Sequence, residues 1–206
     1  RCLPVPGVIV ATFLAVASGR REARVLIGVH GAHGASPHLS RRRVWLTLAA
    51  SLTLLVAAHG AAATGTPALA TTVIDRPYYT TEQYYLGLAN CTRTGGWVLS
   101  DGTCRGYGTG HYSAYVAPLK VSYYIADYVS RPYAKLLAVK NLCTHYADGD
   151  PAYRFRRAGL TYWQWGENIG CRDGYSTAKA AVLASHLAFQ AEKSTGGGHW
   201  KNLKNS

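Results

Sequence analysis

The chain has 206 residues, 22 Lys+Arg against 10 Asp+Glu, a net charge of +12 and a hydrophobic share of 48%. That composition is too apolar for a disordered polyelectrolyte and has no collagen-like or low-complexity bias. The basic excess is scattered rather than gathered into a Lys/Arg block, so no dedicated nucleic-acid surface is expected.

Residues 1–40 are rich in Gly, Ala, Val, His and Arg, with an apolar run from Val8 to Val16 that is too short for an ordinary membrane span of about 20 residues. They read as an N-terminal extension with no folded core. The chain contains no methionine, even at position 1, so a natural start is not expected there. Residues 41–70 follow the layout of a secretory signal peptide. Arg41-Arg42-Arg43 is a positive n-region, Val44 to Ala58 an apolar h-region, and Ala61-Ala62-Ala63 and Ala68-Leu69-Ala70 offer small-residue cleavage sites. A retained signal anchor is the alternative, and the short h-region argues against it. Cleavage near Ala70 would leave 136 residues with 15 Lys+Arg and 9 Asp+Glu, a net of +6. That is enough chain for one domain with its own core, and no stable membrane span is expected after cleavage. Such a charge suits a protein that adheres to anionic cell walls or phospholipid.

Four cysteines remain beyond residue 70: Cys91, Cys104, Cys143 and Cys171. An even count after an export signal argues for two disulfides, and four cysteines allow three pairings. Sequential pairing, Cys91–Cys104 and Cys143–Cys171, closes the shortest loops and is the expected one. Zinc ligation by the cysteines is disfavoured, since no C-x-x-C spacing occurs.

Residues 71–118 read as loop-rich and tyrosine-rich. The run Gly106-Tyr107-Gly108-Thr109-Gly110 superficially matches a nucleotide-binding glycine loop, but no strand and helix flank it in the required order, so it reads as turn. Helical spacing begins near Leu119 with Val121, Ile125, Tyr128 and Val129. Arg131-Pro132 breaks it, and Pro132 suits the first turn of a second helix. That helix carries the stripe Tyr133, Leu136, Val139, Cys143 and Tyr146, with His145 on it. Asp148-Gly149-Asp150-Pro151 ends it, and residues 152–162 form a short basic, aromatic helix and loop. A third helix is expected from about Thr177 to Lys193, with Ser176 or Thr177 as N-cap and Ser194-Thr195-Gly196-Gly197-Gly198 as its stop. Few strands are apparent.

Three segments carry chemistry: Cys143-Thr144-His145, Trp165-Gly166-Glu167-Asn168-Ile169 and Gly197-Gly198-His199-Trp200-Lys201-Asn202. They supply two histidines and a carboxylate, a set that holds a divalent cation or a proton in transit. A Cys143–Cys171 bridge would hold its two Cα atoms about 5.5 Å apart, which sets His145 and Glu167 close to a common anchor. There is no H-E-x-x-H, no G-x-S-x-G and no Walker loop, which argues against a zincin protease, an α/β-hydrolase and a P-loop enzyme. Purely structural roles stand beside these. Glu167 and Asn168 can serve a turn, His145 can sit against a helix dipole, and His186 can be a partly buried helix residue.

The order and character of the three segments resemble the CAP superfamily, the SCP domains of cysteine-rich secretory proteins, antigen 5 and pathogenesis-related proteins, in a bacterial-type secreted form. The resemblance runs from about residue 85 to residue 206, with the core over 119–206. Gly166-Glu167-Asn168-Ile169 matches the family's G-E-N motif, His145 its first histidine, and Gly198-His199-Trp200 its second. Ser185-His186-Leu187-Ala188-Phe189-Gln190-Ala191-Glu192-Lys193 looks like a bacterial branch. The resemblance implies an α+β fold, the α-β-α sandwich around a small antiparallel sheet. In that family, strands follow the second histidine motif; this chain ends there, so a helix-dominated, C-terminally truncated version with an exposed apolar face is expected. It further implies His145 and His199 as ligands of Zn²⁺ or another divalent cation. Glu167 would then orient a water, accept its proton or hydrogen-bond a histidine. Glu192 stands where the family's second glutamate would, without the usual W-x-x-E context, and Glu167 and Glu192 are the catalytic candidates.

Three functions follow. The first is a secreted binding module for lipid, sterol, glycan, cell-wall or protein ligands that need not catalyse anything; its fifteen tyrosines suit amphipathic contacts. The second is a metal-dependent extracellular hydrolase acting on peptide or cell-wall substrates. The third is a cationic envelope-active protein working through Arg154, Arg156 and Arg157, with binding that weakens with salt.

Overall fold

The computed structural model describes residues 8–16, 23–31, 76–161 and 164–205. The signal-peptide region 41–70 lies outside the described residues. In chain order the elements begin with strands β1 (Val8–Val16) and β2 (Ala23–Gly31), then helix α1 (Tyr79–Arg93) and the short strands β3 (Trp97–Val98), β4 (Cys104–Arg105) and β5 (Lys120–Val121). A helical stretch follows: α2 (Tyr123–Ile125), a π-helical turn (Ala126–Ser130) and α3 (Arg131–Lys140). Helix α4 (Pro151–Arg157), strand β6 (Gln164–Arg172), helix α5 (Ala178–Ala191), a 3₁₀ turn (Glu192–Ser194) and helix α6 (Gly198–Leu203) complete the chain.

The class is α+β. Four strands form one sheet in the order β5-β2-β1-β6, antiparallel except for the β2–β5 pair. Two of them come from residues 1–40, which sequence reading had set aside as an extension without a core. A nine-residue apolar run too short to span a bilayer is a good length for a strand, and Val8–Val16 is one, paired with β2 on one edge and β6 on the other. Its register sets Thr12 opposite Asn168 and Phe13 opposite Glu167.

Strand alternation divides the rest of the fold into two layers. From β6, Glu167, Ile169 and Cys171 face a cluster with Val129, Tyr133, Leu137 and Phe155 of the π turn, α3 and α4. Gly166, Asn168 and Gly170 face α5 and α6. The two glycines let those helices approach closely. A Cβ on Gly170 would stand 2.6 Å from the Ser185 Cβ, and one on Gly166 would stand 2.7 Å from the Asn202 Oδ1. The second core, on that side, joins Tyr85 and Leu88 of α1, Val98, Leu119, Val182 and Phe189 of α5, and Leu203 of α6.

Several local expectations need correcting. Helix α1 occupies a region read as loop; its inward face mixes Glu82, Tyr85, Leu88, Ala89 and Thr92, so helical spacing is present but not apolar. Pro132 stands in the first turn of α3, yet the preceding helix runs into it through the π turn without a break. The α3 stripe is not the one expected. Tyr133, Ala134, Leu137 and Ala138 are buried, whereas Val139 is 73% exposed, because small side chains let the helix settle onto β1 and β2. Helix α3 ends at Asn141, which adopts a left-handed conformation (φ 49°), so His145 lies on the loop beyond it. Asp148-Gly149-Asp150-Pro151 starts α4 rather than ending α3, with Asp150 capping the Tyr153 N–H. Helix α5 begins at the Thr177 cap, which accepts from Ala180 N. The glycine run 106–110 is turn, and its amides bond within the loop and to Thr94.

The ends of α1 and α6 cap each other. Arg93 Nη1 donates to the Leu203 and Asn205 carbonyls (2.8 and 2.6 Å). Lys204 Nζ donates in return to the Thr92, Arg93 and Ala114 carbonyls (3.1, 2.7 and 2.6 Å). Cations at helix C-termini satisfy carbonyls that lack intrahelical partners and complement the dipole.

His186 is wholly buried (0% exposed), not partly so. Thr92 Oγ1 gives its proton to Gln190 Oε1 (3.0 Å), so at 2.9 Å it accepts from His186 Nε2–H. The His186 Nδ1 has no partner among the described residues. Burial pushes this imidazole down to about 3 from an ordinary 6.5. The unfolded chain therefore takes up a proton that the fold refuses. The His186 contribution to stability is complete above pH 6.5 and is lost as pH falls toward 3, by about 1.4 kcal/mol per unit. Urea unfolding at pH 7 and pH 5 should show wild type losing about 2 kcal/mol more than His186→Leu; parallel losses would contradict this origin of acid sensitivity.

Candidate functional site

Two disulfides are present, Cys91–Cys104 and Cys143–Cys171, in the sequential pairing. The second ties the loop after α3 to β6, with Cα atoms 6.1 Å apart. This short tether brings His145, two residues from Cys143, to Glu167, four residues from Cys171. His145 Nδ1 stands 2.6 Å from Glu167 Oε1. A carboxylate only accepts, so Nδ1 carries the proton; the His145 side chain is 38% exposed.

Glu167 is 4% exposed and its second oxygen is taken by Arg154, which is 2% exposed (Nη2 to Oε2, 2.6 Å). Arg154 is held in turn by the carbonyls of His145 (2.9 Å) and Gly149 (2.8 Å), and its guanidinium lies 3.5 Å from the Tyr133 ring centroid. Tyr133 donates to the Thr144 carbonyl at 2.6 Å and accepts from Ala147 N at 3.2 Å. The loop bearing His145 is thus fastened by the disulfide, by Arg154 and by Tyr133. Arg154 is not the surface cation expected from its basic neighbours: Asp150 and Pro151 set the phase of α4 so that Pro151, Arg154 and Phe155 share the buried face. Arg157 is engaged as well, by Asp148. Nor does Glu167 or Asn168 serve a turn; both lie within β6.

The second histidine belongs to another dyad. His199 Nδ1 is 2.6 Å from Glu192 Oε1, the His199 N–H donates to Oε2 at 2.9 Å, and the ring stacks on Phe189 at 4.4 Å. Burial works to raise the Glu192 carboxyl, but the hydrogen bonds and charge of His199 outweigh it and hold it below the usual range. His199 and Trp200 stand on α6. They are anchored there by Asn168 Nδ2 on the His199 carbonyl (3.1 Å) and by Asn202 Nδ2 on the Glu167 carbonyl and Asn168 Oδ1 (3.0 and 2.9 Å).

The structure therefore joins His145 with Glu167 and His199 with Glu192. The link between the dyads is the Glu167-Asn168 peptide of β6, whose two side chains leave opposite faces of the strand. Among the described residues no group of three or more His, Cys, Asp or Glu side chains is placed to hold a metal ion. The donor set suits a cation at each imidazole Nε2, with the carboxylates behind the ligands orienting them. Glu167, occupied at both oxygens, is not available to a metal or a water. Among the described residues no helix is long and apolar enough to cross a membrane.

Comparison with models of known families, with curated proteins and with solved structures finds no match.

Proposed function

We propose that the chain is a secreted, CAP/SCP-type binding module whose histidines His145 and His199 present neutral imidazole nitrogens to a divalent cation, without catalytic turnover. The observation that carries this reading is the paired arrangement of the dyads. Each imidazole has Nδ1 fixed by a carboxylate, and among the described residues the ring makes no second hydrogen bond, which leaves Nε2 as a ligand atom. His145 and His199 would each present Nε2 to a cation of its own, with Glu167 and Glu192 respectively supporting them, and a bound ion would offer a Lewis-acid contact to an oxygen of a lipid, sterol, glycan or protein ligand. Two disulfides accord with an extracellular setting.

The competing reading, a metal-dependent hydrolase of peptide or cell-wall substrates, needs a carboxylate free to take a proton from water. Glu167 is locked between His145 and Arg154, and Glu192 holds His199 through both oxygens, which favours binding over hydrolysis. Zinc titration of the full oxidised chain near neutral pH is expected to give stoichiometric binding that His145→Ala and His199→Ala each weaken at least about tenfold. No stoichiometric binding would sink the cation proposal. Zinc-dependent hydrolysis of peptidoglycan or casein, abolished in both variants while folding persists, would favour the hydrolase.

A further inference from the structure

A second surface is built at the β3–β4 hairpin. In its register Trp97 stands directly opposite Arg105, so the two side chains project from the same face. Tyr112 adds a second ring with its centroid 6.2 Å from that of Trp97 and its plane tilted by 40°, and His111 stands edge-on to Tyr112 at 4.6 Å. Lys193, reaching over from the 3₁₀ turn after α5, donates to the Tyr112 carbonyl and places its ammonium 5.8 Å from the Trp97 ring centroid.

This assembly is rigid. The hairpin is bolted to α1 by the Cys91–Cys104 disulfide. It is gripped from α5 by Gln190, whose Oε1 accepts from Val98 N at 2.9 Å and whose Nε2 donates to Val98 O at 3.0 Å. Its charge is mainly positive. Residues 102–126 contain no Asp or Glu, nor do residues 193–206; of the two acids that border these stretches, Asp101 caps the hairpin turn through Thr103 N and Glu192 is paired with His199. Arg105 and Lys193 are exposed, and among the described residues neither has an acidic partner. Lys204 stands close enough to Lys193 to feel its charge.

We propose that this face binds an acidic polysaccharide: a sugar ring lies on Trp97 and Tyr112 while its carboxylates pair with Arg105 and Lys193. A pyranose presents a face of C–H groups that packs on an aromatic ring as apolar surface does, and a uronate carboxylate suits the guanidinium fork. Two cations without an acidic partner among the described residues, flanking one aromatic pair, match a polymer with one charge per sugar. They do not provide the continuous cationic track that a phosphate backbone requires. The surface lies at the C-terminal end of α5 and uses none of the side chains of the two histidine dyads, so its test is independent of the cation reading.

Calorimetric titration of the full oxidised chain with oligogalacturonate is the test, with cello-oligosaccharide, oligo(dT) and inorganic polyphosphate as parallel probes. Oligogalacturonate is expected to bind and to weaken as salt rises. Trp97→Ala should weaken it at least about tenfold, Trp97→Phe less, and Arg105→Ser and Lys193→Gln should each weaken it and flatten its salt dependence. Tyr175→Ser, in the turn at the other end of α5 about 21 Å away, should change nothing. The two charge variants and Trp97→Phe keep the test decisive if Trp97→Ala does not fold. Absence of oligogalacturonate binding, equal binding of the neutral oligosaccharide, of oligo(dT) or of polyphosphate, or indifference to all four hairpin and Lys193 variants would overturn the proposal.

Discussion

Arg154→Ala is expected to destabilise the domain by about 3–5 kcal/mol, the range for removing one partner of a buried ion pair. The Arg154 and Glu167 side chains are each 1% exposed, so deletion of the guanidinium leaves a carboxylate in the core with only His145 beside it. It also frees the carbonyls of His145 and Gly149. Two states are open to the variant: Glu167 takes a proton, or the loop 141–149 opens to water. Both weaken His145. Chemical denaturation measures the loss, and a double variant, Arg154→Met with Glu167→Gln, separates charge from packing. It should recover much of the stability, because a neutral pair removes the uncompensated charge. Wild-type stability in Arg154→Ala would show that water already reaches Glu167.

The second large effect concerns the sheet. Removal of residues 1–34 takes away β1 and β2, leaving the backbone of β6 without the strand that pairs with it from Val8 to Val16. Nine residues of unpaired strand next to two apolar cores form a template for aggregation. The truncated chain is expected to lose cooperative thermal unfolding and to associate. Thr12→Pro is the gentler probe. It removes one N–H and bends a strand paired on both sides, at a cost of about 3 kcal/mol or more. Unchanged unfolding in both would mean that β6 is held by its helices alone.

The site was partly legible because its organising contacts are short in sequence. Cysteine parity and loop length lead to Cys143–Cys171, and that bridge leads to the neighbourhood of His145 and Glu167. A β-branched-poor apolar stretch with a Thr cap leads to α5. Long-range contacts were not legible. Nothing in Arg154-Phe155-Arg156-Arg157 distinguishes the buried arginine from the exposed ones until the Asp150 cap fixes the helix phase. The polar inner face of α1 hides its periodicity, since Glu82 and Thr92 are buried through pairing with Arg131 and Gln190 rather than through apolarity. The pairing of β1 with β6 left no local sign, because strand pairing across more than a hundred residues is a property of the sheet. The second dyad was visible only as a doubt about Glu192, whose place beside His199 depends on the 3₁₀ turn and the Gly-rich bend that fold it back.

Both disulfides join residues between Cys91 and Cys171; among the described residues no covalent crosslink reaches β1 or β2. Among the described residues, the two inner strands β1 and β2 are therefore held to the rest of the fold by strand pairing and packing, with residues 32–75 as their covalent link. A single proteolytic cut in that connector, including one at the Ala70 signal site, would turn an intramolecular fold into a two-chain complex. Its melting temperature would then depend on protein concentration, and the strand pair could pass from one molecule to the next, as in a domain-swapped assembly.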